Sequence, residues 1–275
     1  MPIKKIKPVS NARRGLSFVD FSDLSKDKPK KSLLQINPRK AGRNNTGRIT
    51  VHHRGGGAKR FYRMVNFDFS KNVSAKVVGI EYDPNRAANI ALVQYENGTF
   101  DYVLAADKVK VGTKIEGNDT TAVRIGNRMR MVNIPVGTQI HNIELLPGQG
   151  GKLCRSAGNY ANLLSVEGGL AQIKLPSSEV RRVNSDCFAT IGTVGNSDAM
   201  NIKIGKAGRK RHMGIRPTVR GKAKNPCDHP HGGGEGNTSI GMAYPKTPWG
   251  MPALGYRTRN KKKKSGNLII KRRSK

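Results

Sequence analysis

The densest concentration of reactive side chains is Asn225-Pro226-Cys227-Asp228-His229-Pro230-His231-Gly232-Gly233-Gly234-Glu235-Gly236. Its prolines remove amide donors and its glycines open backbone angles closed to other residues, so it must be a loop. Three chemistries can be written on it. Cys227, His229 and His231 alternate, so an extended backbone would aim them the same way, as zinc ligands are aimed. A closed site needs a fourth ligand, and neither Cys154 nor Cys187 has a second ligand beside it. Cys227 as nucleophile, His229 as base and Asp228 as orienter would make a hydrolase, yet neighbours on a proline-stiffened loop seldom reach the mutual geometry that such a group requires. In the third reading the loop inserts into a large anion: His229 and His231 donate hydrogen bonds, while Gly232, Gly233 and Gly234 admit close backbone approach. Only this reading accounts for the flanks, a very basic run from Lys203 to Lys224 and a tail closing Lys271-Arg272-Arg273-Ser274-Lys275.

Charge is distributed accordingly. Residues 1 to 63 carry a net charge of +14, residues 64 to 200 +1, and residues 201 to 275 +18. A balanced middle between two cationic ends is the pattern of a folded body with self-repelling arms that a polyanion would order. No apolar run approaches 18 residues and no lipidation motif is present, so a membrane partner is not expected. The start of the chain lacks the apolar stretch of a signal peptide, and Asp20, Asp23 and Asp27 interrupt any acid-poor transit sequence; a cytoplasmic protein is expected. Three cysteines without C-x-x-C spacing read as reduced thiols.

Two further clusters combine glycine with base. His52-His53-Arg54-Gly55-Gly56-Gly57-Ala58-Lys59-Arg60 would let amides and cations converge on phosphate oxygens. Pro147-Gly148-Gln149-Gly150-Gly151-Lys152-Leu153-Cys154-Arg155 misses the G-x-x-x-x-G-K-[ST] spacing of a nucleotide-hydrolysing loop, because Leu153 follows Lys152. With Arg216 and Arg220 upstream of the His229 loop, these residues form the expected binding set. Neither a cofactor nor a metal is called for.

The elements that must carry these loops are strands, and the chain reads as mainly β. Asn97-Gly98 predicts a hairpin with a two-residue turn, pairing Tyr95 with Phe100, Val93 with Tyr102 and Ala91 with Leu104. Strands are also expected at Arg48–His53, Phe61–Phe67, Val73–Tyr82, Val109–Ile115, Thr121–Ile125, Arg128–Ile134, Gln139–Leu145, Leu163–Val166, Leu170–Lys174 and Glu179–Val183. Their spacing fits two small antiparallel barrels. The expected layout is a basic N-terminal extension over 1–60, one barrel over 61–125, another over 126–200, and a basic C-terminal extension over 201–275.

Few aromatics and no helix-turn-helix or zinc finger argue against single-strand and major-groove binding, and folded RNA suits disordered basic arms best. Asn225 to Gly236, the preceding Arg216-Pro217-Thr218-Val219-Arg220-Gly221, His53 to Arg60, Gly150-Gly151 with Arg155-Ser156-Ala157-Gly158, and Thr247-Pro248-Trp249-Gly250 together resemble the universal family of large-subunit ribosomal protein two, bacterial type. The resemblance runs from about Pro38 to the C-terminus; Lys224, Cys227 and His212 depart from its usual pattern. It implies an OB-fold barrel, then an SH3-like barrel, with extensions reaching into large-subunit rRNA. It also implies other ribosomal proteins, the small subunit and tRNA as neighbours, and a place in the cytoplasmic ribosome. The family supports subunit association, tRNA binding and peptide-bond formation near the peptidyl-transferase centre, with His229 in a supporting role and no enzyme activity of its own. A free nucleic-acid-binding factor is the alternative.

Overall fold

The computed structural model describes residues 3–69 and 73–273, so Ser274-Lys275 of the basic tail lies outside the described residues. Two short antiparallel pairs, β1 (Ile3–Lys5) with β2 (Ser17–Val19) and β3 (Leu34–Ile36) with β4 (Phe61–Arg63), precede the main sheet. Its first half comprises β5 (Val73–Glu81), β6 (Ile90–Tyr95), β7 (Phe100–Leu104) and β8 (Lys114–Gly117). The second comprises β9 (Arg128–Arg130), β10 (Gln139–His141), β11 (Ala161–Glu167), β12 (Leu170–Lys174), β13 (Val180–Asn184) and β14 (Phe188–Ile191), with β15 (Ile269–Lys271) added from the tail.

The fold is mainly β, with one six-residue helix, α1 (Ala207–His212), among the described residues. Neighbour order in the sheet is β15-β13-β12-β11-β10-β14-β9-β8-β5-β6-β7. The two expected barrels take the form of one eleven-stranded open ladder, because a parallel contact, Gly117 opposite Arg128, carries the pairing from β8 into β9. Each half still wraps its own core. Val77, Ala91, Val93, Val103 and Ile115 pack with Phe69 in the first, and Met129, Met131, Ile140, Leu163, Ile173 and Ala189 pack together in the second.

Chain order and compact units differ. One unit gathers residues 1–38, 59–206 and 267–275 and contains the sheet; the other gathers 39–58 and 207–266 and contains most of the basic loops. Residues 3–36, expected as an extended arm, are folded into the sheet unit. Leu24 is buried, Ser25 exchanges hydrogen bonds with the Ile80 backbone through its own N–H and Oγ, and the Lys30 N–H donates to the Tyr102 hydroxyl at 3.1 Å. The tail is anchored as well, since β15 pairs with β13 through Val180–Lys271 and Arg181–Ile269.

The hairpin register requires correction. Tyr95 N–H donates to Thr99 O, Gly98 N–H donates to Tyr95 O, and Gly98 has φ +79°. The loop is therefore three residues, Glu96-Asn97-Gly98, closed by a left-handed glycine, and not the two-residue turn that Asn-Gly predicts. Pairing shifts by one: Val93 faces Asp101, Ala91 faces Val103, and Leu92 faces Tyr102. Asp101 thus joins the face of Tyr95, whose hydroxyl donates to it at 2.8 Å, while Tyr102 turns to the opposite face and donates to Glu81 at 2.9 Å. Both faces are covered, so apolar content could not discriminate the registers. Strands expected at Arg48–His53 and Thr121–Ile125 are absent, because those segments lack a continuous neighbour to pair with; Phe188–Ile191, not foreseen, is a short buried run between β10 and β9.

At the joint of the halves lies a buried ion pair. Arg128 Nη2 meets Glu144 Oε1 at 2.9 Å, and its Nη1 donates to Asn142 O at 2.6 Å. Glu144 Oε2 accepts from the N–H groups of Phe188 and Gly148. Burial lowers the arginine pKa, opposed by the Glu144 charge.

Close by, His141 is fully buried and donates Nδ1–H to Gly192 O at 2.9 Å. Burial lowers its pKa to about 4; the Gly192 bond opposes this, and the Arg128 charge adds a smaller downward push. The unfolded chain protonates this ring near 6.5, the folded chain only near 4. Its contribution is therefore complete above about pH 6.5 and is lost as pH falls toward 4, by about 3 kcal/mol in total. In His141→Asn, which keeps an N–H for Gly192, urea denaturation across this range should show a flatter pH slope than in the parent; an unchanged slope would place the acid sensitivity elsewhere.

Candidate nucleic-acid interface

The basic unit holds 19 Lys and Arg against two acids, Asp228 and Glu235, and half of the chain's 32 glycines. Only one of its residues is buried, His229, at 8% exposure. Hydrophobic burial thus contributes little here, and the backbone is held by specific hydrogen bonds.

Two of the sequence clusters come together in it as a ribbon. Gly55 N–H donates to Gly214 O, Ala58 N–H to His212 O and Arg216 N–H to His53 O, with Arg54 bridged antiparallel to Ile215. His53 sits in the left-handed region at φ +62° and donates Nδ1–H to Pro217 O at 2.7 Å. Gly57 is required by proximity: a Cβ there would stand 2.8 Å from the Gly214 nitrogen. His52, Arg54, Arg216 and Arg220 are exposed along this stretch. Arg54 and Arg216 lie in the ribbon and Arg220 just beyond it, and with no acid in either strand these exposed cations are suited to phosphate.

The Cys227–Gly236 stretch is a coiled loop, not the extended strand that would align three ligands. Asp228 and His229 N–H groups both donate to Asn225 O. His231 N–H donates to His229 Nδ1 at 3.0 Å, and Lys246 N–H donates to His231 Nε2 at 2.9 Å. The rings lie 4.8 Å apart. A neutral imidazole has one lone-pair nitrogen, and in each ring it is occupied by a backbone amide. What remains is the opposite N–H of each ring, a donor. Burial, then the charges of His231 and Lys224, lowers the His229 pKa. Gly221 forms the floor beneath it, since a Cβ there would lie 2.7 Å from His229 Nδ1. Gly232 packs on the Asn225 carbonyl, with that of Lys224 next to it, while Gly233 and Gly234 take φ +91° and +83°. Cys227 is exposed, and among the described residues no group of three His, Cys, Asp or Glu side chains is placed to hold a metal ion.

The remaining candidates belong to the sheet unit. Lys59 and Lys152 are exposed. Arg60 donates to Pro84 O at 2.6 Å, and Arg155 lies 4.4 Å over the Phe67 ring while donating to Gly151 O, so both guanidinium groups also brace the fold. Cys154 and Cys187 are pushed by burial to about 11 and about 12, away from thiolate chemistry. Tyr244 and Tyr256 were not singled out in the sequence, and Trp249 only as part of the resemblance; all three are large and exposed, and an aromatic in a segment free of acids was the available signal. No helix among the described residues is long and apolar enough to cross a membrane.

Replacing Gly221 with Ala should displace the His229 ring and raise its pKa toward that of a free imidazole, measurable by NMR titration of the ring protons. An unchanged titration would show that Gly221 does not hold the ring.

Two family models match the chain: Ribosomal Proteins L2, RNA binding N-terminal domain, over residues 30–117, and Ribosomal Proteins L2, C-terminal domain, over residues 124–250. The gap between them falls between β8 and β9, where the two half-sheets meet.

Proposed function

Since the chain belongs to the ribosomal protein L2 family and is thereby an RNA-binding structural component of the large ribosomal subunit, we propose that its basic unit is the part that enters folded rRNA. There it supports subunit association, tRNA binding and peptide-bond formation near the peptidyl-transferase centre. The observation that carries this reading is a unit with 19 cationic side chains, two acids and one buried residue, which gains from phosphate what it lacks in a core. The rRNA contacts are His52, His53, Arg54, Gly55, Gly56, Gly57, Arg216, Arg220, His229, His231, Gly232, Gly233 and Gly234 in that unit, with Lys59, Arg60, Lys152 and Arg155 in the sheet unit. Residues 61–125 and 126–200 are the OB-like and SH3-like bodies that support them. The small subunit and tRNA are neighbours of the assembled particle, which is cytoplasmic, and the chemistry belongs to RNA.

Affinity for large-subunit rRNA should fall steeply with salt, with a log–log slope of about −0.7 to −0.9 per phosphate contacted. A salt-insensitive affinity would sink the phosphate reading. A free nucleic-acid-binding factor would leave large subunits in a high-salt gradient, whereas this chain is expected to co-sediment with them.

For His229 we assign a positional role, because its lone pair is already used by the His231 amide. His229→Gln in fully assembled subunits should leave the pH profile of peptide-bond formation unchanged. Loss of a pH-dependent step near the imidazole range would favour proton transfer instead.

A further inference from the structure

Trp249 is the only tryptophan of the chain and is 78% exposed. It stands on a built support. Thr247 N–H donates to Met251 O at 2.7 Å, Gly250 N–H to Thr247 O at 2.9 Å, and Met251 N–H to Thr247 Oγ1 at 3.2 Å. Lys246 and Pro252 form an antiparallel bridge behind them, and Ala253 N–H donates to Pro245 O. The result is a small hairpin whose loop is Pro248-Trp249-Gly250, closed by a glycine at φ +81°, the same arrangement that closes the sheet hairpin at Glu96-Asn97-Gly98. Proline fixes one backbone angle of the loop, and the glycine leaves space open beside the indole. Among the described residues the Trp249 ring makes no aromatic or cation–π contact, and its indole N–H makes no hydrogen bond.

An indole presented on a stiff tip, with no partner among the described residues, is an anchor for something outside the chain. The surrounding charge identifies the partner. From Gly236 to Gly266, within the same unit, there are seven Lys and Arg and no acid, a stretch that a polyphosphate backbone neutralises. We propose that Trp249 stacks on an unstacked base of the large-subunit rRNA, with Lys246 at the hairpin's base holding a neighbouring phosphate. The inference rests on the RNA-binding reading above and adds a residue and a mode of contact to it. The stacking surface is compatible with any base, so this hairpin contributes affinity and placement more than sequence discrimination.

Because there is one tryptophan, its fluorescence in the full-length chain reports on position 249 alone. Titration with large-subunit rRNA, with binding followed in parallel by filter retention, should quench the emission. Trp249→Ala should weaken binding by about 5- to 150-fold, and Trp249→Phe, which keeps a ring, should recover most of that loss. Retained rRNA, with emission unchanged or shifted to the blue without quenching, would overturn the stacking proposal while the RNA-binding reading stood; a blue shift would assign the indole to an apolar protein pocket. Equal losses for the Ala and Phe variants would also overturn it. Failure of the unmodified chain to retain rRNA would bring down both.

Discussion

The Arg128–Glu144 pair is the constraint on which the sheet unit turns. Arg128 is the first residue of β9, opposite Gly117, where the two half-sheets join. Through Asn142 O and Glu144 it reaches the segment leading into the Gly148–Arg155 loop, and through Glu144 the start of β14. A buried pair of this kind is not in itself a large source of stability, but losing one partner leaves a buried charge uncompensated, typically at a cost of about 3–5 kcal/mol. Its value lies in specification: the joint, the glycine loop and a central strand are set by one electrostatic arrangement, in surroundings from which His141 is also denied its proton.

The basic unit follows the opposite physics. The sheet unit excludes water from two apolar cores, whereas the basic unit excludes it from little more than one imidazole. Its order comes from backbone donors and acceptors meeting each other, which is why glycine is so dense in it. At Gly57, Gly221 and Gly232 the neighbouring backbone or ring occupies the space of a side chain. Such a unit keeps its amides and cations near the surface, at the expense of stability in isolation.

The sequence made the class of fold, the charge layout and the three glycine-rich clusters legible, because charge and residue type do not depend on packing. The hairpin register was not legible. Asn97-Gly98 is compatible with two loop lengths, and the faces that should have decided between them are both covered, one by the core at Val93 and one by the Lys30 segment at Tyr102. The partnership of His53 with Arg216 and Pro217 was equally hidden, since nothing local in either segment names the other. The alternation of Cys227, His229 and His231, set aside in the sequence for want of a fourth ligand, also fails on geometry: period-2 spacing aligns side chains only in extended chain, and Asn225 O instead draws the amides of Asp228 and His229 into a turn.

The ribbon that joins His53 to Pro217 spans 164 positions of sequence, and what lies between is nearly all of the sheet. Bringing such distant segments together in a loose chain costs loop-closure entropy with no local reward. Once the sheet has collapsed, the separation is that between two points on a compact body and the cost shrinks. The topology therefore makes the ribbon a late, non-local contact: it cannot close until residues 212–217 have been synthesised, by which point the strands from β4 to β14 have already emerged. Until then His53–Ala58 lacks the backbone partner it holds in the ribbon, and an RNA can compete for it.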